Sequence, residues 1–360
     1  MTNEEKFAPQ VSVIIPMRNE SSFVDACLRS VFAMDTVAGG MEVLVVDGMS
    51  TDGTREKVAG WCAQRPELRM LDNPRRIVPT AMNIGIRAAR GRWIARLDAH
   101  TEYAADYLTC CLETIARTAA DNVGGCITTL TSDDTLQGRL VRALTTHRFG
   151  VGNAGFRVGA REGKADTVVF GYFRREIFER VGMYDERLVR NQDYELNRRI
   201  IKAGGTIWHN PAIGARYFNQ PSIIGLLRQA FGTGQWNVWM WYLAPYSFAW
   251  RHAIPLMFVI GLLGALLLLL ASSNIGLAAL VALLAPYFAL AVYSSVQQAR
   301  RYGIWMAPIL PFMFFAYHAS YGAGSLWGIL MLAMRKSPVQ LSAEPWAGEG
   351  LQRSLTRTSE

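Results

Sequence analysis

Residues 92–100 read Arg-Trp-Ile-Ala-Arg-Leu-Asp-Ala-His. The apolar run that begins near Trp93 predicts a strand, and the strand stops on an acidic residue, Asp98. His100 follows two positions later. Side chains on an extended backbone alternate with a period of two, so both groups are expected on one side of the chain. Asp98 offers a hard oxygen and His100 an imidazole nitrogen. The pair could hold one divalent cation without filling its shell, which leaves positions for phosphate oxygens and water. A diphosphate is the natural completion of such a tip. An acidic strand end beside a histidine is also an ordinary structural feature, so its meaning depends on the flanking chain.

Upstream, Val11–Pro16 (VSVIIP) reads as a buried parallel strand. The loop Met17–Glu20 follows, with Ser21 or Ser22 expected to cap a helix over Ser22–Met34. Glu42–Val46 is a second strand and delivers Asp47. The polar turn Asp47–Thr54 is expected to cap a helix running to about Gln64. Leu68–Leu71 is a third strand. Pro79–Arg90 is a third helix, closed by Gly91 in a helix-terminating position. Arg92–Leu97 is the fourth strand. This alternation predicts a parallel sheet covered by helices, with ligands bound beyond the carboxyl ends of the strands. Pro16–Glu20, Asp47 and Asp98–His100 all fall at those ends. No G-x-G-x-x-G follows the first strand, which argues against a dinucleotide oxidoreductase.

Downstream, Asn122–Leu130 reads as a strand and Phe149–Asp166, rich in Gly and Arg, as a mobile loop. Phe170–Glu186 holds a strand, a helix and a turn. Asn191–Ile201 is a helix opening with Asn191-Gln192-Asp193-Tyr194-Glu195. A carboxylate in a first turn is stabilised by the helix dipole and stays ionised, which makes Asp193 a candidate general base. A solvated N-terminal cap is the alternative.

The 360-residue chain carries a formal net charge of +8, and its hydrophobic fraction of 51% is unevenly spread. Charge nearly disappears from Ala253 to Met334. Ala253–Ala271 and Ile275–Val296 are apolar runs close to the roughly 20 residues that cross a bilayer. Ile304–Met334 is a third run, broken by prolines and glycines. Ser222–Trp250 holds four tryptophans and suits a helix lying in the headgroup zone, with core packing as the alternative. Met1–Gln10 shows no apolar leader, so the soluble part is expected in the cytoplasm, anchored by the later spans. Arg251 and Arg300-Arg301 fit cytoplasmic flanks, and Ser272-Ser273-Asn274 an outer turn. Pro308, Pro311, Gly322 and Gly324 favour a re-entrant or interfacial third segment that returns the tail to the cytoplasm. His318, with Tyr317 and Tyr321, either meets a lipid diphosphate or packs between helices. The five cysteines have no metal spacing and read as small apolar residues. Without a basic stripe or RNA-binding motif, nucleic acid is not expected as a partner.

Val11–Glu20 (VSVIIPMRNE), the strand ending at Asp47 with Ser50-Thr51-Asp52-Gly53-Thr54, and Asn83-x-Gly85 with Gly91 together resemble the family-two inverting glycosyltransferases. Asp98-x-His100 stands where that family has Asp-x-Asp, and Gln192-Asp193 where it has Glu-Asp. The match covers about residues 10–215. The Asp-Ala-His tip, the Asn-Gln-Asp-Tyr-Glu-Leu segment and the Trp-rich helix narrow the resemblance to ExoA-type glucosyltransferases of succinoglycan assembly.

The resemblance implies an α/β GT-A fold, a Rossmann-like nucleotide-sugar-binding mixed sheet, followed by an interfacial helix and C-terminal transmembrane helices. The expected layout is a disordered terminus (1–10), the GT-A domain (11–220), the interface region (221–251), the membrane domain (252–335) and a disordered cytoplasmic tail (336–360). Implied roles are donor binding for Pro16, Glu20 (ribose), Asp47 (uracil) and Asp98. Asp98 and His100 would hold Mn²⁺ or Mg²⁺, Asp193 would be the base, and Tyr194 and Trp236 would meet the acceptor. Tyr194 and Glu195 could instead serve positioning. His100 in place of a second aspartate leans toward Mn²⁺. Processive relatives carry Gln-x-x-Arg-Trp; aligned on Trp236, this chain has Gly232 and Gln235 there, which favours single-sugar addition.

The implied activity transfers one hexose, glucose from a UDP-sugar, to a polyprenyl-diphosphate-linked saccharide in exopolysaccharide biosynthesis. The implied location is the bacterial inner membrane, multi-pass, alongside exopolysaccharide assembly proteins. Two alternatives stay open. One is a polyprenyl-phosphate glycosyltransferase of the dolichyl-phosphate mannose synthase type. The other is a catalytically silent nucleotide-sugar-binding subunit.

Overall fold

The computed structural model describes residues 9–131, 135–152, 154–219 and 222–337. The termini expected to be disordered fall almost wholly outside them. The elements run β1 (Val11–Met17), α1 (Val24–Phe32), β2 (Met41–Asp47), α2 (Thr54–Gln64), β3 (Leu68–Asp72), α3 (Val78–Ala88), β4 (Trp93–Arg96), β5 (Thr101–Tyr103), α4 (Tyr107–Thr118) and β6 (Asn122–Thr131). They continue with α5 (Leu136–Thr145), α6 (Arg148–Val151), α7 (Gly155–Val158), β7 (Gly163–Lys164), β8 (Val169–Arg174), α8 (Glu176–Val181), α9 (Gln192–Lys202) and β9 (Ile207–Asn219). Four long helices close the described chain: α10 (Ile223–Leu243), α11 (Trp250–Ala271), α12 (Ser273–Tyr302) and α13 (Leu310–Ala333).

Strand order is β3-β2-β1-β4-β8-β6-β9-β5, with β7 on β9. β1 pairs in parallel with β2 on one side and β4 on the other, and β2 with β3. From β8 outward the pairing turns antiparallel: β4 with β8, β8 with β6, and β5 with β9. The sheet is therefore mixed. Ile14, Leu44 and Ile94 on one sheet face pack with Met82 of α3, Phe178 of α8 and Ile200 of α9 in one buried cluster.

The amino end of the parallel strands is tied by a buried carboxylate. Glu42, 2% exposed, accepts hydrogen bonds from Ser12 Oγ at 2.7 Å, the Arg90 backbone N–H at 2.7 Å and Arg69 Nη2 at 2.8 Å. Ser12 Oγ in turn accepts from Gly91 N at 2.8 Å. Burial pushes the Glu42 pKa up, but the Ser12 hydroxyl, the Arg90 N–H and Arg69 outweigh it, and the net shift is downward. Its contribution to stability is thus complete above the pH at which an unfolded glutamate titrates and is lost as pH falls through the lowered folded value. Gly91, expected to terminate α3, has a different duty. Helix α3 ends at Ala88, and a Cβ on Gly91 would lie 2.6 Å from Ser12 N. The residue is small because two backbones meet there.

Several expectations are corrected. α1 starts after Phe23, which makes no side-chain cap, and the Ser21 N–H goes to Asp52 instead. β4 ends at Arg96, so Asp98 and His100 lie in a turn and do not share a strand face. The supposed loop 149–166 contains α6, α7 and β7. β5, α4 and the 13-residue β9 were not anticipated; Pro211 and Gly214 inside β9 weaken its strand signal.

The described residues divide into two units, the first holding those up to 128 and 159–217, the second 129–158 and 218–337. Helices α5–α7 thus group with the C-terminal helices, and the boundary near 220 is joined by a second near 129 and a third near 158. Within the second unit, α11 and α12 are long and apolar enough to cross a membrane. α13 is one continuous helix with Pro311 in its first turn, so proline opens it and does not break it. Its glycines are contact points. A Cβ on Gly322 would lie 2.1 Å from the Pro255 carbonyl of α11, and one on Gly324 2.0 Å from the Phe231 carbonyl of α10. The third segment is therefore an unbroken helix seated against α10 and α11. His318 packs between helices: its Nδ1 lies 2.9 Å from the Tyr287 hydroxyl of α12.

Gly91→Ala is expected to destabilise the protein by about 1–3 kcal/mol, the usual cost of overpacking. The check is a lowered unfolding midpoint for the full chain in detergent.

Candidate active site

The site is assembled at the carboxyl edge of β1, β2 and β4. Pro16 pairs with Val46, and Met17 with Asp47, at the strand ends. Two loops then interlock. Asn19 N donates to Ser50 Oγ at 2.9 Å, Thr51 N to Asn19 Oδ1 at 3.0 Å, and Glu20 N to Thr54 Oγ1 at 2.8 Å. Asp52 accepts from Ser21 N and Thr54 N. The Ser50–Thr54 run is therefore a brace for the Asn19–Ser21 loop. Asn19 sits at φ +55°, a left-handed conformation that asparagine tolerates.

Asp47 is fully buried. Its Oδ1 accepts from Ser50 Oγ at 2.5 Å, and its Oδ2 from Ser50 N at 3.0 Å and Arg55 Nη1 at 2.6 Å. Arg55 also reaches Asp72 at 2.8 Å, the residue that ends β3. Arg55, unremarked in the sequence, thus stands over the carboxylate expected to read the nucleobase.

The turn after β4 is held from beneath. Asp98 N donates to the Tyr103 hydroxyl at 2.6 Å, and that hydroxyl lies 3.2 Å from the Asp98 carbonyl, to which it donates. Tyr103 is itself wedged edge-on against Tyr107 and Phe170. His100 Nδ1 lies 3.7 Å from Glu20 Oε1, with its ring edge-on to Tyr217 at 4.9 Å. Burial works against a charged imidazole, but the Glu20 carboxylate, Tyr217 and Asp98 outweigh it and push its pKa up to about 9. The pair's contribution to stability is full below the ordinary histidine value and is lost as pH rises through about 9.

Arg96, the last residue of β4, joins the halves of the site. It is 9% exposed. Nη2 lies 3.2 Å from Asp98 Oδ1, and Nη1 is ion-paired with Asp193 Oδ1. Asp193 lies in the first turn of α9, behind Asn191 at φ +63°. One guanidinium therefore brings together the two carboxylates expected to work on donor and acceptor. A charged residue within a buried strand was the signal that could have flagged Arg96, because burial demands partners. A cavity of about 10 Å³, near the size of one water, lies beside Arg96, Asp193, Asn122 and Tyr184.

Tyr194 is buried at 9% exposure and presents little surface. Glu195 is fully buried in a two-armed pair with Arg199, at 2.9 and 2.7 Å, so it shapes α9. Asn83 also serves the frame: it donates to the Tyr184 carbonyl and Glu186, and accepts from Tyr184 N. Trp236 belongs to α10 of the second unit, edge-on to Trp239 at 4.6 Å.

No group of three or more His, Cys, Asp or Glu suited to a metal occurs among the described residues. The donor set is Asp98 oxygen and, once it loses its proton, His100 nitrogen. That pair fits a cation whose remaining ligands come from a diphosphate, since ligation needs a neutral imidazole.

A mixed sheet whose first four strands run parallel, with an acidic turn beyond the fourth and a carboxylate at a helix start, is the arrangement of the GT-A glycosyltransferase fold. The family model described as Glycosyl transferase family 2 matches residues 12–182. Succinoglycan biosynthesis protein ExoA of Rhizobium meliloti (strain 1021) is 32% identical over 237 residues, covering 65% of this chain and 71% of that protein. The chain therefore belongs to glycosyl transferase family 2. A Methanococcus voltae relative, dolichyl N-acetyl-alpha-D-glucosaminyl phosphate 3-beta-D-2,3-diacetamido-2,3-dideoxy-beta-D-glucuronosyltransferase, is 27% identical over 233 residues, covering 62% of this chain and 71% of its own. Among solved structures, the mannosyltransferase PcManGT from Pyrobaculum calidifontis, in complex with GDP-Man and Mn²⁺, aligns with a TM-score of 0.56 at 22% identity. It covers 89% of this chain and 88% of its own, and attests the fold.

Glu20→Gln is expected to drop the His100 pKa from about 9 toward the ordinary 6.5, because it removes the carboxylate that favours the imidazolium. A ring-proton NMR titration of the full chain reads this directly. An unchanged value would show that Glu20 does not hold the charge.

Proposed function

We propose that this chain is a membrane-associated inverting glycosyltransferase that adds one sugar, glucose from UDP-glucose, to a polyprenyl-diphosphate-linked saccharide in exopolysaccharide assembly. The observation that carries the reading is the meeting of Asp98 and Asp193, distant in sequence, on the Arg96 guanidinium at the carboxyl edge of a parallel sheet.

Asp98 and His100, on the turn after β4, would hold Mn²⁺ or Mg²⁺ together with the donor diphosphate. The cation, when bound, stabilises the charge that develops on the leaving diphosphate. Glu20 and Pro16 line the ribose side. Asp47 accepts the uracil N–H when Arg55, 28% exposed, yields Oδ2. Asp193 takes the proton of the acceptor hydroxyl. The freed oxygen bonds to the anomeric carbon from the face opposite the diphosphate, the carbon–diphosphate bond breaks, and the configuration inverts. No covalent intermediate is needed, so one carboxylate suffices.

A lipid-linked acceptor is supported by α11 and α12 and by the name of the Methanococcus relative. With α11 and α12 as its spans, the proposed protein is multi-pass in the bacterial inner membrane, with its catalytic domain in the cytoplasm.

The test is metal-dependent UDP release from a panel of UDP-sugars, using membranes with and without native glycolipid. Release needing Mn²⁺ or Mg²⁺, one sugar and the glycolipid is expected. Release with simple polyprenyl phosphate would favour the dolichyl-phosphate mannose synthase type of reaction, and nucleotide binding without release a silent subunit. Asp193→Asn is expected to lower the rate by about 100- to 10,000-fold, the usual worth of a general base. Transfer at the unaltered rate would remove Asp193 from that role.

A further inference from the structure

We infer that Arg96 is a positioning residue that sets the acceptor-side carboxylate in register with the donor-side turn. The inference deepens the proposed function and rests on the reading of Asp193 as base. Three features carry it.

Arg96 is buried, so its charge needs partners, and it takes two: Nη2 at Asp98 Oδ1 and Nη1 at Asp193 Oδ1. The guanidinium is flat and permanently charged, and its two arms diverge at a fixed angle. The separation of the carboxylates is thereby fixed by a rigid group. Next, each carboxylate spends only Oδ1 on Arg96. Among the described residues, Oδ2 of Asp98 and Oδ2 of Asp193 carry no hydrogen bond, which leaves one oxygen for a cation and one for an acceptor hydroxyl. Finally, Arg96 is anchored by the sheet. Its strand β4 pairs with β1 through Ile14 and with β8 through Ala95 and Tyr172. Asp193, at the start of a helix, receives its bearing from that strand.

The positive charge between the two carboxylates also offsets their mutual repulsion. During transfer the acceptor proton passes to Asp193 Oδ2 as the oxygen bonds to the anomeric carbon, and Arg96 keeps its own protons throughout. It touches neither sugar nor diphosphate in this arrangement and acts through Asp193.

The experiment compares wild type, Arg96→Met, Arg96→Lys, Asp193→Asn and the Arg96→Met/Asp193→Asn double variant as full chains in membranes. UDP release gives kcat and donor KM, and UDP with Mn²⁺ is the binding probe. Arg96→Met should lower kcat by about 100-fold, the scale of a misplaced catalytic group, with UDP affinity and donor KM within about 3-fold. Arg96→Lys keeps the charge without the fork and should recover less than about 10-fold of that loss. In the Asp193→Asn background, Arg96→Met should cost less than about 3-fold more, because residues acting as a unit do not add.

UDP affinity falling in step with kcat, a near-wild-type rate for Arg96→Lys, or losses that multiply would each overturn the inference. If Arg96→Met fails to accumulate, Arg96→Lys decides alone: low kcat with intact UDP binding supports the inference and full kcat overturns it. No UDP release from wild type would sink the proposed function itself. Wild-type release matched by Arg96→Met would sink only the role of Arg96.

Discussion

Strand β1 is hydrogen-bonded in parallel on both sides, to β2 and to β4, and the first unit depends on that double pairing. Parallel neighbours point their carboxyl ends the same way. The loops after β1, β2 and β4 therefore emerge at one edge, and residues up to 80 positions apart, such as Glu20 and His100, become neighbours. The amino edge is closed by Glu42, Ser12 and Gly91, which tie the same three strands at their starts. With one edge fixed by hydrogen bonds to a buried carboxylate, the opposite edge can carry its cluster of acidic groups without loss of register.

Electrostatics at the working edge follows from burial. Asp47, Asp98 and Asp193 each meet an arginine, Arg55 in one case and Arg96 in the other two. His100 meets Glu20. Each of these charges at the working edge is paired with an opposite one, as the cost of an unpaired buried charge requires. The second unit meets its burial demand by shape, since the glycines of α13 let carbonyls of α10 and α11 approach its backbone.

The sequence by itself determined the alternation of the first four strands and three helices, because each strand is a short β-branched run and each helix carries its own apolar spacing. It also placed Asp47 and Asp193 at element ends, and the apolar length of α11 and α12, since those are local properties of the chain. Other features were decided only in three dimensions. β9 contains proline and glycine and becomes a strand because β5 and β7 offer it edges to pair with. Gly91 and the glycines of α13 read as breakers in sequence and act as contact points in space. Asp98-x-His100 left the strand because β4 ends at Arg96, and the turn beyond it is shaped by the Tyr103 hydroxyl. Arg96 was legible only as a charge in an apolar run. Its two partners come from the turn beyond its own strand and from a helix nearly a hundred residues later, and a pairing between distant segments exists only once the sheet has brought them together.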